Sequence, residues 1–252
     1  MNQQPLHTKV ADDLRKQISS GDLAPGEKIP SEAALGEDYQ VSRVTVRHAL
    51  RTLEQEGLIV AKSGVGRIVK VTEPMVYRPQ AERDPRISST LDRYMSYLIN
   101  QGRTPSQTIE IAIEPAPEPV ARRFRIEPGT SVVVRKRIRW LDGEPFNIND
   151  TYYLRELAEG TEVADPADIP RGSNTVIEEI IGSEVLAIDD FYVRMPTPDE
   201  ARRLEIGAGT PVAVHYVTGL TADDKIVRVE YFVLPGDRHI IQFERHHGGA
   251  NR

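Results

Sequence analysis

The sequence predicts an α+β chain in two domains. The first is a small N-terminal unit of three helices closed by a β-hairpin. The second is larger and is built on one antiparallel sheet. Three observations carry this. Apolar residues recur at helical spacing up to Leu53 and then give way to two short β-rich runs around glycines. A stretch rich in proline and charge separates residues 1–72 from the rest. Beyond it, a 14-residue segment repeats at an offset of 80 with 8 identities.

Taken in order, Leu6, Val10, Leu14 and Ile18 form the apolar stripe of a first helix that Gly21 ends. Pro25-Gly26 marks a turn, and Ser31 is placed to cap a short helix running to about Tyr39, with Glu32 in its first turn. Ser42 caps a third helix. Its buried face is Val46, Ala49, Leu50 and Leu53, spaced i, i+3, i+4 and i+7. Arg43, Arg47 and Arg51 line the opposite side, with Thr45 and His48 beside them, and Gly57 closes the helix. Leu58 to Lys62 and Arg67 to Val71 read as strands around Ser63-Gly64-Val65-Gly66.

Two helices joined by a tight turn, the second arginine-bearing and followed by a glycine-tipped hairpin, describe a winged helix-turn-helix. The N-terminal residues of its second helix face base edges in a major groove. Arginine pairs bidentately with guanine, and glycines let the wing backbone approach phosphate, with Lys62, Arg67 and Lys70 adding charge. A solvated helix face explains the arginine stripe taken alone. Combined with both caps and the wing, the stripe reads as a DNA-contacting surface.

Charge agrees once it is resolved along the chain. The 252 residues carry 32 Lys+Arg and 38 Asp+Glu, a formal net charge of −6. Residues 1–72 hold 10 basic and 9 acidic side chains, and residues 73–252 hold 22 and 29. Within 40–72 the balance is 6 to 2, as expected where one face of the first domain meets an anion.

Other classes are excluded or unsupported. There is no cysteine, so disulfide frameworks, thiolate metal sites and cysteine nucleophiles fall away. No apolar run approaches the roughly 20 residues of a membrane span, and Met1 to Pro5 is no signal peptide, so a soluble cytoplasmic protein without membrane partners is expected. The six histidines form no metal-ligand motif and no serine-nucleophile motif is present, so neither metal, cofactor nor catalysis is expected.

The expected domains are 1–72, a linker over 73–88, an α+β domain over 89–245 and a disordered polar tail over 246–252. In the second domain, residues 121–134 align with residues 201–214, and Tyr152-Tyr153-Leu154 echo Phe232-Val233-Leu234 at the same offset. Each copy reads as a short helix, a Gly-Thr turn and a strand entering a hairpin, with Asp142-Gly143 and Asp223-Asp224 as turns. Two such halves make one sheet with helices against it and leave a cleft for a ligand.

Pro25-Gly26, Ile29-Pro30-Ser31-Glu32, Val41-Ser42-Arg43, Thr45-Val46-Arg47, Ala49-Leu50, Glu56-Gly57-Leu58 and Gly64-Val65-Gly66 resemble the GntR family of bacterial transcriptional regulators over about residues 6–71. The resemblance implies base or phosphate contacts from Arg43, Thr45 and Arg47, a phosphate contact from Ser42 and a wing placed by Gly64 and Gly66. Ser31, His48, Lys62 and Arg67 complete the expected DNA-binding set. Where the family carries an arginine after Ser-Glu, this chain has Ala33.

Residues of about 88–244 resemble the UTRA effector-binding domain of the HutC subfamily, a fold similar to chorismate lyase. The resemblance rests on Gly102-Arg103-Thr104-Pro105, Arg137-Ile138-Arg139, Asp142-Gly143-Glu144-Pro145, Ala201-Arg202-Arg203-Leu204 and Gly236-Asp237-Arg238. It implies an anion held by Arg137 and Arg139, which share a strand face as i and i+2 neighbours. Ser173 falls where a hydroxyl donor is expected, although a plain helix cap serves it equally well. Thr90, or Ser89, is a further candidate, and Asn149 and Glu230 stand at or near positions where the family places acids. The implied protein is a homodimer on a palindromic double-stranded operator, most simply a repressor, modulated by a small anionic metabolite. A constitutive repressor with a purely dimerising second domain is one alternative. A lyase-like enzyme is another.

Overall fold

The computed structural model describes residues 4–62, 64–71, 74–79, 98–207 and 209–245. It divides into two compact units, Met1–Pro74 with Met195–Pro211, and Met75–Arg194 with Val212–Arg252.

In the first unit, α1 (Leu6–Ser20), α2 (Glu32–Asp38) and α3 (Arg43–Gln55) precede the antiparallel pair β1 (Ile59–Lys62) and β2 (Gly66–Val69). The core joins Val10, Ala11 and Leu14 of α1 to Leu35 of α2, Val46, Ala49, Leu50 and Leu53 of α3, and Ile59 and Val69 of the hairpin. The apolar stripe expected in α1 holds at Val10, Leu14 and the partly buried Ile18, and departs from expectation at its start. Leu6 opens the helix and remains 57% exposed, and Ala11 is buried beside Val10 and Leu14 instead. Both serines cap as expected: Ser31 Oγ accepts from Ala34 N at 3.2 Å and Ser42 Oγ from Thr45 N at 3.2 Å. Backbone bonds from Ile29 N to Arg67 O and from Val69 N to Glu27 O tie β2 to the chain ahead of α2. The wing is therefore braced on two sides.

The second unit is a six-stranded antiparallel sheet in the order β4-β5-β6-β9-β8-β7. Its strands are β4 (Pro105–Pro115), β5 (Ser131–Leu141), β6 (Glu144–Leu154), β7 (Glu184–Arg194), β8 (Val212–Thr221) and β9 (Ile226–Pro235). Read outward from the central β6–β9 pair, the order is the sequence repeat reflected. Each copy supplies an outer strand, a helix and a hairpin, with α4 (Glu118–Phe124) as the helix of the first and α7 (Pro198–Arg203), which falls in the first compact unit, as that of the second. The chain leaves each helix through a left-handed residue, Arg125 at φ 60° and Glu205 at φ 52°, again 80 apart. The sequence missed the outer strands β4 and β7, which lie upstream of the matching segment.

The echo between Tyr152-Tyr153-Leu154 and Phe232-Val233-Leu234 is corrected by one residue. Arg135 pairs with Thr151, whereas its counterpart His215 pairs with Phe232. Both hairpins carry the same register shift, at Arg139/Trp140 and at Gly219/Leu220, but the second has a longer loop than Asp142-Gly143, so the offset becomes 81 on its return strand. Thr151 therefore corresponds to Phe232, and Asn149 to Glu230.

Alternation along the paired strands sorts side chains to two faces. One face carries Arg135, Arg137, Thr151, Tyr153, Glu230, Phe232 and His215. There, α5 (Arg155–Ala158), a 3₁₀ turn (Glu162–Ala164) and α6 (Ser173–Ile181) close an apolar cluster with Val133, Tyr153, Val163, Val176 and Ile177. The other face carries Tyr216 and Asp190, which Arg123 of α4 reaches by stacking at 3.9 Å and by an ion pair at 2.7 Å. Covered on both faces, β6 and β9 are buried almost end to end.

Part of the expected linker is ordered. Met75–Tyr77 form β3, which pairs in parallel with β10 (His239–Ile241). Three alternating residues amid proline and charge are too short to show as a strand in sequence. Tyr77 is buried against Val217, Phe232 and Leu234. Its hydroxyl lies 3.0 Å from His215 Nδ1, and His215 Nε2 lies 2.7 Å from Asp189. The tail over 246–252 lies outside the described residues.

Candidate nucleic-acid interface and buried arginine cluster

The first site is built on α3 and the wing. Burying Val46, Ala49, Leu50 and Leu53 turns the other side of α3 to solvent, where Arg43, Arg47, His48 and Arg51 are exposed and Thr45 is half-buried. His48 meets His7 of α1 edge-on, ring centroids 6.0 Å apart. The Ser42 hydroxyl serves the helix terminus and also lies 2.9 Å from Thr45 Oγ1, so it can meet a phosphate only while capping. At the wing tip Gly64 and Gly66 have φ of 75° and 105°, left-handed values that a β-carbon resists, and Lys62 is exposed beside them. The two glycines thus give a tight, bare turn that a phosphate backbone can approach.

Arg67 differs from the other expected DNA contacts. Its Nε donates to Glu54 at 2.7 Å and its Nη1 to Glu32 at 3.2 Å. Glu32 also binds Arg47, through Nη2 at 3.0 Å and Nε at 3.4 Å. The Arg47 guanidinium first, and Arg67 after it, holds the Glu32 carboxyl below its ordinary range. Counting basic residues along 40–72 could not reveal this, because Glu32 lies outside that window and Glu54 is remote from Arg67 in sequence.

The second site lies on the helix-covered face of the sheet. Arg137 donates through Nη1 to Thr151 Oγ1 at 2.9 Å and through Nη2 to Ser173 Oγ at 3.2 Å. The Tyr153 hydroxyl is 2.7 Å from both Ser173 Oγ and Asn174 Oδ1, and burial pushes it up to about 12. Ser173 is thus engaged by its side chain, and the cap position of α6 belongs to Gly172. Arg135 donates to the carbonyls of Val163, Asp165 and Ala167, which fixes the loop leading to α6. Burial, and then the charge of Arg137, draw Arg135 down to about 10, which leaves it cationic at neutral pH.

Arg139, Asn149 and Glu230 are all buried. Burial alone would raise the Glu230 carboxyl. Arg228 beside it, with Arg137 and Arg139 farther off, outweighs burial and holds it below the ordinary range. Arg228 also donates to Glu184 at 2.9 Å. The structure therefore brings Arg137, Ser173, Arg139 and Glu230 into one electrostatic cluster, with Asn149 on the same face opposite Phe232. Thr90 and Ser89 lie outside the described residues. Sequence reading missed Arg135, Thr151, Tyr153 and Glu184. Of these only Arg135 left a signal, as the first member of an Arg-x-Arg-x-Arg alternation.

Among the described residues no three His, Asp or Glu side chains converge as metal ligands, and no helix is long and apolar enough to cross a membrane.

Comparison with known proteins matches residues 6–69 to bacterial regulatory proteins of the gntR family and residues 100–240 to the UTRA domain. The chain is 29% identical over 244 residues to an uncharacterised helix-turn-helix transcriptional regulator of Streptomyces coelicolor, covering 93% of this chain and 90% of that one. It is 28% identical over 232 residues to the mannosyl-D-glycerate transport/metabolism system repressor MngR of Escherichia coli K12, covering 90% of each. Among solved structures, PhnF from Mycobacterium smegmatis superposes with a TM-score of 0.56 at 20% identity, over 94% of this chain and 99% of that one, a likeness of fold.

Proposed function

This chain belongs to the GntR family of bacterial transcriptional regulators, with a UTRA domain as its second unit, and on that premise we propose that it is a repressor released from its operator by a small organic anion. Repression is supported by the Escherichia coli relative MngR, which is a repressor. The observation that carries the effector reading is the cluster of Arg137, Ser173, Thr151 and Glu230. A planar guanidinium fork held by two hydroxyls on a covered sheet face suits a carboxylate or phosphate bidentately.

Two copies bind a palindromic operator, one α3 in each half-site. A second copy also suits β7, an outer strand that exposes Val185, Leu186, Ile188, Tyr192 and Val193. The effector acts by favouring one arrangement of the pair over the other, a coupling that must be reciprocal.

The test is retention of a duplex selected by the full chain, measured with and without a panel of sugar phosphates, organic phosphates and small carboxylates. One of these should weaken DNA binding at least tenfold, and Arg137→Met should abolish that response while leaving basal binding intact. Equal affinity across the panel favours the constitutive reading instead. A specific observation speaks for that reading, since Arg137 already meets hydroxyls within the protein.

A further inference from the structure

Glu32 lies between the two DNA-facing elements and reaches both. From the first turn of α2 its carboxylate takes Arg47 of α3 on one side and Arg67 of β2 on the other. Arg67 in turn takes Glu54 at the far end of α3. The four groups carry two positive and two negative charges, so the network is neutral. Exposed Arg43, Arg51 and Lys62 then stand out as cations on this surface.

The manner of the Arg47 contact matters. A guanidinium offers two flat edges for paired acceptors, one formed by Nε and Nη2 and the other by Nη1 and Nη2. Glu32 takes the first edge, through Nε at 3.4 Å and Nη2 at 3.0 Å. The second edge, which presents two parallel donors to the O6 and N7 of guanine, is left to the groove. Half of the Arg47 side chain is still exposed, 51%, against 24% for Glu32. The carboxylate therefore sits behind the fork and does not cover it. On a duplex without the matching base, the same carboxylate adds a negative charge next to phosphate.

We infer that Glu32 is a specificity-determining positioning residue, which buttresses the Arg47 fork for base reading and penalises mismatched DNA. This rests on α3 being the helix that reads the groove. The experiment uses the full chain and two duplexes, one selected by the chain from a randomised library and one scrambled in base order. Glu32→Gln should weaken binding to the selected duplex about tenfold, since a bidentate contact loses its orientation. It should also strengthen binding to the scrambled duplex and steepen that duplex's salt dependence by about one counterion. Glu32→Asp keeps the charge but is too short to span Arg47 and Arg67. It should weaken the selected duplex alone.

A ratio of affinities unchanged in both variants overturns the inference. So does a parallel loss on both duplexes accompanied by a lower melting temperature, which marks a purely structural role. Arg47→Ala separates the two levels. If it leaves the ratio untouched, the reading of α3 fails along with the inference; if it collapses the ratio while Glu32→Gln does not, only the inference fails.

Discussion

Replacing His239 with leucine should invert the order of stability between neutral and mildly acidic pH. His239 opens β10 and is buried, its ring 4.2 Å from that of Phe146. Nδ1 lies 3.0 Å from the Pro235 carbonyl and donates to it, so the second proton would go to Nε2, which has no hydrogen-bond partner among the described residues. Burial, reinforced by neighbouring Arg238, depresses the imidazole from 6.5 to about 4 despite the Pro235 bond. A depressed folded value means the stabilisation is complete above 6.5 and is lost as pH falls from there through 4. At pH 5 the linkage amounts to about 2 kcal/mol. At pH 7.5 the leucine variant should be less stable by about 1 kcal/mol, the worth of the lost hydrogen bond. By pH 5 it should be the more stable of the two by a similar margin. The assay is urea unfolding followed by the fluorescence of Trp140, the chain's single tryptophan, which lies on β5 and reports the sheet unit. Every other titrating group is common to both proteins, so the difference isolates His239. A difference that stays constant within about 0.5 kcal/mol from pH 7.5 to pH 5 would refute the reasoning.

Two further outcomes follow from the second unit. Arg135→Met removes the donor to the carbonyls of Val163, Asp165 and Ala167, and should cost about 3 kcal/mol by the same fluorescence assay. The protein should sediment as a dimer at micromolar concentration. Ile188→Lys, which places a charge on the exposed edge strand, should shift it toward the protomer mass without unfolding it.

The fold was legible where one physical rule acted alone. Apolar periodicity and two serine caps located α2 and α3, and the repeat located both inner hairpins, because each signal is local and repeated in kind. β4 and β7 were not legible, since the two copies diverge upstream of the helices. β3 was hidden because its partner β10 is about 160 residues away, and no local pattern reports a parallel pairing at that distance. The DNA-facing surface was legible as a set of residues but not as an electrostatic object. The 6 to 2 balance over 40–72 could not anticipate that Arg47 and Arg67 are matched by Glu32 and Glu54.

The two copies of the repeat also build two different surroundings on one sheet. The 8 identities lie between the short helix and the start of the inner strand, the segment that builds each half. One residue later the copies part on the covered face. Arg135, Arg137 and Arg139 on β5 correspond to His215, Val217 and Gly219 on β8. The first series keeps a polar face closed by Ser173 and Tyr153. The second has no arginine at these positions, and Tyr77 from the chain that follows the wing packs there, edge-on to His215 and tilted against Phe232. Glycine at 219 has its own cause: a β-carbon there would meet the Glu184 carboxylate, which reaches across to Arg228. Two equivalent arginine faces would have placed six cations on one covered face, an arrangement that desolvation makes untenable without six counter-charges. The arginine series stands in one half alone, and the other half receives Tyr77 from the segment that follows the wing. The central strand β9 belongs to both, since Glu230 faces the arginines and Phe232, two residues along the same face, supports Tyr77. On the proposed effector reading, an anion that draws Arg137 and Arg139 away from Glu230 acts on the same strand that supports Tyr77.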